Sequence, residues 1–416
     1  MPGANIIMNA GSLVATFAVT SGLGMAYWLV GAHYFSREAV GLAAAAISAM
    51  TLLSTIASLG LGTALIGELA KNVPLRRSIT FRSLASATLT GAIFGIAFLI
   101  VTPYVTSGFH ELSGDGAITA VAFCAGVAVM AAGVVFDGAS IGLLKGGLQL
   151  ARNAIFAIAK LTLLALGAYV LSRKTADGLI IAWVVGCLIS LVFGIARLRS
   201  LPADGSIGRR DHARLLRIGV THQTYNMAYS VSSLVLPIIV VTVVSVQANA
   251  DFYVCFMLAS ALFIVPNALV TVLFAVGTQE KGELAASIRL TLVSSALICT
   301  FGAAVLAVFA HPILGLFGRQ YSESAGALRV LTLVTFPLII KNHFLSLTRI
   351  RGTVQRWLVP AWIGAVCETT AAYTGARIHG IEGLCWGWLI VVAIEALLMS
   401  PSVIKSTQVT VSPEIQ

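Results

Sequence analysis

Charge is scarce in this sequence. Only 16 of 416 residues are acidic and 26 basic, so charged side chains make up 10% of the chain, where a soluble globular protein carries roughly 25%. That shortage excludes a large water-facing surface, and with it a basic soluble domain of the kind that grips nucleic acid. The six cysteines (Cys124, Cys187, Cys255, Cys299, Cys367, Cys385) all fall in apolar runs, without CxxC spacing or a neighbouring histidine pair. They read as small core residues, not metal ligands. Paired carboxylates, metal-spaced histidines, a phosphate-cradling glycine loop and a nucleophile elbow are also missing. Neither covalent chemistry nor a cofactor is expected.

What remains is apolar: 58% hydrophobic residues and a mean hydropathy of +0.95. At about 20 apolar residues per crossing, the length accommodates roughly a dozen membrane helices with short loops. Apolar windows and breakers place them near 10–34, 39–66, 83–102, 117–143, 153–171, 178–198, 218–245, 251–277, 289–310, 326–347, 357–376 and 383–403. The opening "MPGANIIMNAGS" has no basic region before its apolar run, so the first stretch is expected to be a membrane helix and not a cleaved signal. Of the 26 basic residues, 18 fall in segments on the N-terminal side of the membrane, 5 on the other side and 3 inside spans. Positive charge stays inside, so both termini are expected in the cytoplasm, with the chain in the inner membrane. The net charge of +10 then reflects topology and contact with anionic lipid.

The sequence repeats. "DGLIIAW" (177–183) returns as "EGLCWGW" (382–388), and residues 41–71 align with 251–281. The expected fold is all-α: a polytopic membrane protein of about twelve helices in two six-helix bundles, 1–197 and 218–416, joined by a cytoplasmic linker at 198–217. An even number of spans per half gives both copies one orientation, a parallel repeat.

Polar faces recur on the leading helices of both halves. Asn9, Thr16, Thr20 and Tyr27 share one face of the first span; His222, Asn226, Tyr229 and Ser233 share one face of the seventh. Ser48, Thr51, Thr55, Ser58 and Gly62 stripe the second span, and Ser260, Asn267, Thr271 and Thr278 the eighth. Small and hydroxyl residues also mediate helix packing in bilayers, but their joint occurrence in both halves points to a hydrated cleft. Charges inside spans cost about 2.5–3.5 kcal/mol on insertion scales and need a reason. They are Asp137, Lys160, Arg329, Lys341, Glu368 and Glu395. Asp137, Lys160, Glu368 and Glu395 are open to a structural ion pair or to transport work. Arg329 and Lys341, near span ends, are also able to snorkel, outward and inward respectively. Lys341 heads a "KNH" cluster with Asn342 and His343. A buried cation there suits a phosphate.

Several segments carry a resemblance. "GLAAAAISAMTLLSTIASLGLGTALIGELAKN" (41–72), "LLRIG" (215–219), "FIVPNALVTVLFAVGTQE" (263–280), "PILGLFGRQYSESAGALRVL" (312–331) and "HGIEGLCWGW" (379–388) resemble the polysaccharide flippases of the O-antigen and teichoic-acid type. These belong to the superfamily of multidrug, oligosaccharidyl-lipid and polysaccharide exporters. The resemblance covers most of the chain. It implies a polyprenyl-pyrophosphate-linked oligosaccharide as cargo, turned from the cytoplasmic to the outer leaflet by alternating access. It also implies no enzymatic step, and as partners the lipid-linked glycan, membrane lipids and glycan-assembly enzymes; a monomer is expected. His33, Ser58 and Gly67 depart from the family, which often carries arginine, an acid and arginine there. Two alternatives stay open: a cation-coupled multidrug antiporter of the same superfamily, and a membrane-embedded sugar polymerase or ligase.

Overall fold

The computed structural model describes residues 22–71, 73–105, 117–170, 175–199, 201, 205–277 and 284–408. Within lipid every backbone N–H and C=O must find a partner in the protein, which leaves helices and closed barrels, and every regular element among the described residues is helical. In chain order these are α1 (22–34), α2 (Arg37–Ala57), α3 (Leu61–Lys71), α4 (Arg76–Val105), α5 (Ala117–Gly142), α6 (Gly146–Val170) and α7 (Ala176–Leu198). Then follow α8 (Arg209–Val243), α9 (Val246–Gly277), α10 (Leu284–Val308), the short α11 (Ala310–Gly315), α12 (Ala325–Ile350) and α13 (Val354–Gln408). Ten described helices are long and apolar enough to cross a membrane. The chain is an all-α polytopic membrane protein.

Two departures from the expected spans have local causes. The second span, expected unbroken over 39–66, is two helices, because the backbone turns left-handed at Leu59 (φ 51°) and Gly60 (φ 65°). Gly60 is required there, since a Cβ would fall on the carbonyl of Gly219 in α8. The last two spans are arms of α13, which reverses at His379 and Gly380 (φ 59°). Only the final turns of the first span, expected at 10–34, lie among the described residues.

The described chain divides into two compact units, parting at Ala250 and Asp251. The sequence reading starts the second half at residue 218; in the structure α8 stays with the first unit because it packs on α2 and α3. Gln223 Nε2 donates to the Thr55 carbonyl at 2.8 Å, and the backbones of Gly60 and Gly219 touch without side chains between them. The core of this unit joins Leu61, Leu65 and Leu69 of α3 to Val135 and Phe136 of α5 and Leu191 of α7.

Part of the expected linker joins that core. Leu198, Leu201, Ile207 and Leu215 are buried in it. Arg82 Nη1 donates to the Ile207 carbonyl at 2.7 Å, and the Ile207 N–H donates to Ser78 Oγ at 2.9 Å. "RDHARLLRIG" forms the first turns of α8 itself.

In the second unit the core gathers Leu273, Ile288, Phe344, Leu347 and Val403, with Trp357 edge-on to Phe344 at 4.7 Å between ring centres. Pro266 and Pro337 sit inside α9 and α12, and Pro237 inside α8, without breaking them.

Candidate functional site: two intramembrane charge clusters

The second unit builds its cluster from glycines upward. The two arms of α13 run back along each other closely, because a Cβ on Gly375 would fall on the Gly383 carbonyl and one on Gly387 on the Ala371 carbonyl. Small residues let helix backbones approach in a bilayer. That approach brings Glu368 on one arm beside Trp388 on the other, whose Nε1 donates to Glu368 Oε2 at 2.9 Å. Lys341 of α12 closes the group. Its Nζ donates to Glu368 Oε1 and lies 2.6 Å from Glu395 Oε2. Gly364 leaves the space that the Glu395 carboxylate occupies.

Lys341 and Glu368 are both buried, and two carboxylates face one ammonium. Trp388→Phe keeps the ring but removes the donor, leaving one Glu368 oxygen short of a partner. The expected loss is about 1–3 kcal/mol, read as a lower unfolding midpoint of the detergent-solubilised protein.

The first unit has a different arrangement. Asp137 of α5 receives a two-pronged ion pair from Arg152 of α6, Nε to Oδ1 at 3.0 Å and Nη2 to Oδ2 at 2.8 Å. Arg152 is itself buried and also donates to Asn153 Oδ1 at 2.6 Å. A planar guanidinium matches a carboxylate in this way. Lys160, about two turns beyond Arg152 on α6, is held by rings. Its Nζ lies 3.8 Å from the ring centre of Trp183, 4.6 Å from Phe156 and 5.3 Å from Tyr27.

The ammonium meets the negative faces of those rings, and no ion pair to it is present among the described residues. Trp183 Nε1 is buried without a hydrogen-bond acceptor among the described residues. Gly186 permits the assembly, since a Cβ there would run into the Lys160 backbone.

The clusters occupy corresponding places in the repeat with their signs exchanged. Asp137 and Lys341 are 204 residues apart, Lys160 and Glu368 208, and Trp183 and Trp388 205. Acid answers to base twice, and the indole that faces an ammonium in one half faces a carboxylate in the other. The first cluster holds two cations and one acid (Arg152, Lys160, Asp137); the second holds one cation and two acids (Lys341, Glu368, Glu395).

Of the other expected residues that are described, Tyr27 joins the Lys160 cage and the rest stand apart from these clusters. His343 is buried, with Nδ1 against the Ile339 carbonyl at 2.8 Å and Nε2 against Thr291 Oγ1 at 3.1 Å. Its neighbour Asn342 is half-buried. Tyr27 is fully buried and donates to the Leu179 carbonyl at 2.6 Å, so it is a wall of the Lys160 cage. On α8, Tyr225 and Tyr229 stack edge to face at 5.1 Å, half-buried Asn226 lends its carbonyl to Ser230, and Ser233 Oγ donates to the Ser230 carbonyl at 2.9 Å. Hydroxyls on α2 do likewise, Thr51 to Ile47 and Thr55 to Thr51.

Asn267 is exposed on α9. Arg329 is exposed and donates to the Ala307 carbonyl at 3.1 Å, while Tyr321, Ala325 and Leu328 of the same motif are buried. Thr16, Thr20, Thr278 and the side chain of His222 lie outside the described residues. Arg152, Trp183 and Trp388 were missed by the sequence reading. The only signal was the repeated heptad, whose closing tryptophan serves a charge in both copies.

With this geometry in place, comparison with solved structures is decisive for the architecture. An inward-facing multidrug resistance MATE family transporter of the MOP superfamily superposes with a TM-score of 0.71 at 16% identity, over 94% of this chain and 95% of that one. The chain has the MATE fold. An outward-facing MATE structure gives 0.63 at 16% identity over 98% and 96%. A MOP superfamily transporter from Pyrococcus furiosus, described as having a binding pocket of reverse polarity, gives 0.60 at 16% over 98% and 96%. No protein-family profile matches the sequence, and no curated protein matches it. The MATE fold thus carries, in this chain, two buried charge clusters of opposite balance.

Proposed function

We propose that the chain is a secondary transporter that turns a polyprenyl-pyrophosphate-linked oligosaccharide from the cytoplasmic to the outer leaflet by alternating access, driven by a cation bound and released at Glu368 and Glu395. The exchanged charge balance of the two clusters is the observation that carries this reading. In the second unit one carboxylate exceeds the ammonium inside helices that cross the bilayer, so a proton or a small cation completes neutrality there. In the first unit two cations exceed one acid, and Lys160 has rings but, among the described residues, no carboxylate about it. That excess favours an anionic headgroup over a cationic one.

A sugar with a charged headgroup does not cross hydrocarbon unaided, because unsatisfied polar groups cost kcal/mol each and ions far more. Fixed internal charges of both signs lower that barrier for the headgroup while the polyprenyl tail stays in lipid. The resemblance of five sequence segments to polysaccharide flippases supports the same cargo class.

A second reading, a cation-coupled drug antiporter, is favoured by the box of Tyr27, Phe156 and Trp183, which already holds a cation. It is also favoured by the multidrug names of the structural neighbours. One experiment separates them. Purified protein in liposomes with a polyprenyl-pyrophosphate oligosaccharide is expected to expose the sugar on the opposite leaflet, faster with an inward proton gradient, and Glu368→Gln with Glu395→Gln is expected to remove the gradient's effect. Gradient-driven movement of an organic cation without movement of the lipid-linked sugar would establish the antiporter instead.

A further inference from the structure

We propose that the coupling ion is a proton carried by Glu395, with Glu368 as its fixed, ionised partner and Trp388 as the positioning residue that separates their roles. This rests on the coupled-transporter reading above and names both the ion and its carrier. The two acids are equivalent as letters in the sequence. Their surroundings are not.

Glu368 has both oxygens held. Lys341 Nζ donates to Oε1 and Trp388 Nε1 donates to Oε2 at 2.9 Å, and donors on both oxygens favour the ionised form. The indole is itself fixed by packing, with Phe256 and Phe263 of α9 at 6.2 Å and 6.1 Å between ring centres. Glu395 is held by less. Its Oε2 lies 2.6 Å from Lys341 Nζ, but its Oε1 is buried with no hydrogen-bond partner among the described residues, in the space that a side chain on Gly364 would take. An ionised oxygen there is stripped of water without a donor in return, so the uncharged carboxyl fits the place better. The Glu395 carboxyl also lies within hydrogen-bonding reach of that of Glu368. Two carboxyls bond to each other when one of them holds a proton to donate.

The same geometry selects a proton over a metal cation. A hard metal ion is held by several oxygens at once, whereas here an ammonium already stands between the two acids. Among the described residues no three acidic, histidine or cysteine side chains converge for a metal ion. Exchange with water also favours Glu395, whose side chain is 12% exposed against 4% for Glu368. The neighbouring elements leave the pair to Lys341. His343, two residues further along α12, turns to Thr291 of α10, and α9 presents its two phenylalanine rings to Trp388. As Glu395 gives its proton to water on one side and regains one from the other, the group of three cycles between one net negative charge and none.

The test is infrared spectroscopy of the full chain in liposomes, with the gradient-driven transport assay run beside it. At neutral pH the natural chain is expected to show a carboxylic-acid C=O band that shifts in heavy water and shifts again when its glutamates carry heavy carbon. A spectrum without the band, or a band that ignores the glutamate label, overturns the proposal. Glu395→Asp is expected to move the band and Glu368→Asp to leave its frequency in place; the reverse pattern overturns it. Replacing choline by sodium at constant ionic strength is expected to change nothing, and loss of the band in sodium overturns the choice of a proton. Trp388→Phe removes a donor from the ionised partner, so the pH at which the band disappears is expected to rise by about one to two units. An unchanged pH profile in a folded variant overturns the part given to Trp388. Should the variants fail to fold, the label and sodium experiments decide with the natural chain. Lipid-linked sugar that stays in place while the band is present overturns the transport reading and leaves the proton site standing. Gradient-driven movement of that sugar without the band overturns the proton site and leaves the transport reading standing.

Discussion

Lys341→Ala is expected to lower the stability of the protein by about 3–5 kcal/mol, the usual consequence of removing one member of a buried ion pair. The reason is geometric. Glu368 is buried and bound by Trp388 on its other oxygen, and Glu395 occupies the alcove left by Gly364. Neither carboxylate has a second cation among the described ion pairs. The variant is expected to unfold at a much lower temperature in detergent and to accumulate poorly in membranes. Removing all three charges together, Lys341→Met with Glu368→Gln and Glu395→Gln, is expected to restore most of the stability, because no unpaired charge remains, while transport loses its dependence on the cation gradient. A Lys341→Ala protein as stable as the natural one would mean that the carboxylates are neutral or solvated without the lysine. The sequence reading gave Lys341 to a phosphate; the structure surrounds it with carboxylates.

Gly138→Val is the second large effect. A Cβ on Gly138 would fall on the Gly62 carbonyl, and one on Gly142, a turn further along α5, on the Leu65 carbonyl. The obstacles are backbone atoms, which do not rotate away, so α3 and α5 must separate along a seam that also holds Leu65, Val135 and Phe136. Overfilling a packed interior costs about 1–3 kcal/mol, and a branched side chain against backbone belongs at or above the upper end. Gly67→Val supplies the comparison: it sits in the same helix α3 with nothing within 4 Å of its Cβ position, and its unfolding midpoint is expected to stay near that of the natural chain. Equal midpoints for the two variants would show that the α3–α5 seam is not closely packed.

The helices and the class were legible in the sequence because hydropathy averages over some twenty residues, and small errors in boundaries do not alter it. The partners of the charges were not legible, because they depend on which way each helix is rotated against its neighbour. Arg152 shows the difficulty. It precedes the strongly apolar stretch expected at 153–171, so it reads as a rim residue, yet α6 begins six residues earlier at Gly146 and carries Arg152 into the packed interior against Asp137. Tyr27 shows the converse. A hydroxyl on a polar stripe reads as facing water, but its ring serves as a wall and its hydroxyl closes on the Leu179 carbonyl of α7. Serine and threonine stripes mislead similarly, since a hydroxyl that donates to its own helix is satisfied without solvent.

The reversal at Gly380 sets a depth. A two-residue break in a helix leaves backbone groups unpaired, so it belongs at the lipid–water boundary. Glu368 lies 12 residues before Gly380 and Glu395 15 after it, about 18 Å and 22 Å along the arms at 1.5 Å per residue. With a hydrocarbon layer of about 30 Å, both acids sit past its middle, toward the face opposite the hairpin tip. An ion arriving from that opposite face therefore meets the carboxylates after the shorter passage, and one leaving toward the tip has the longer way to go.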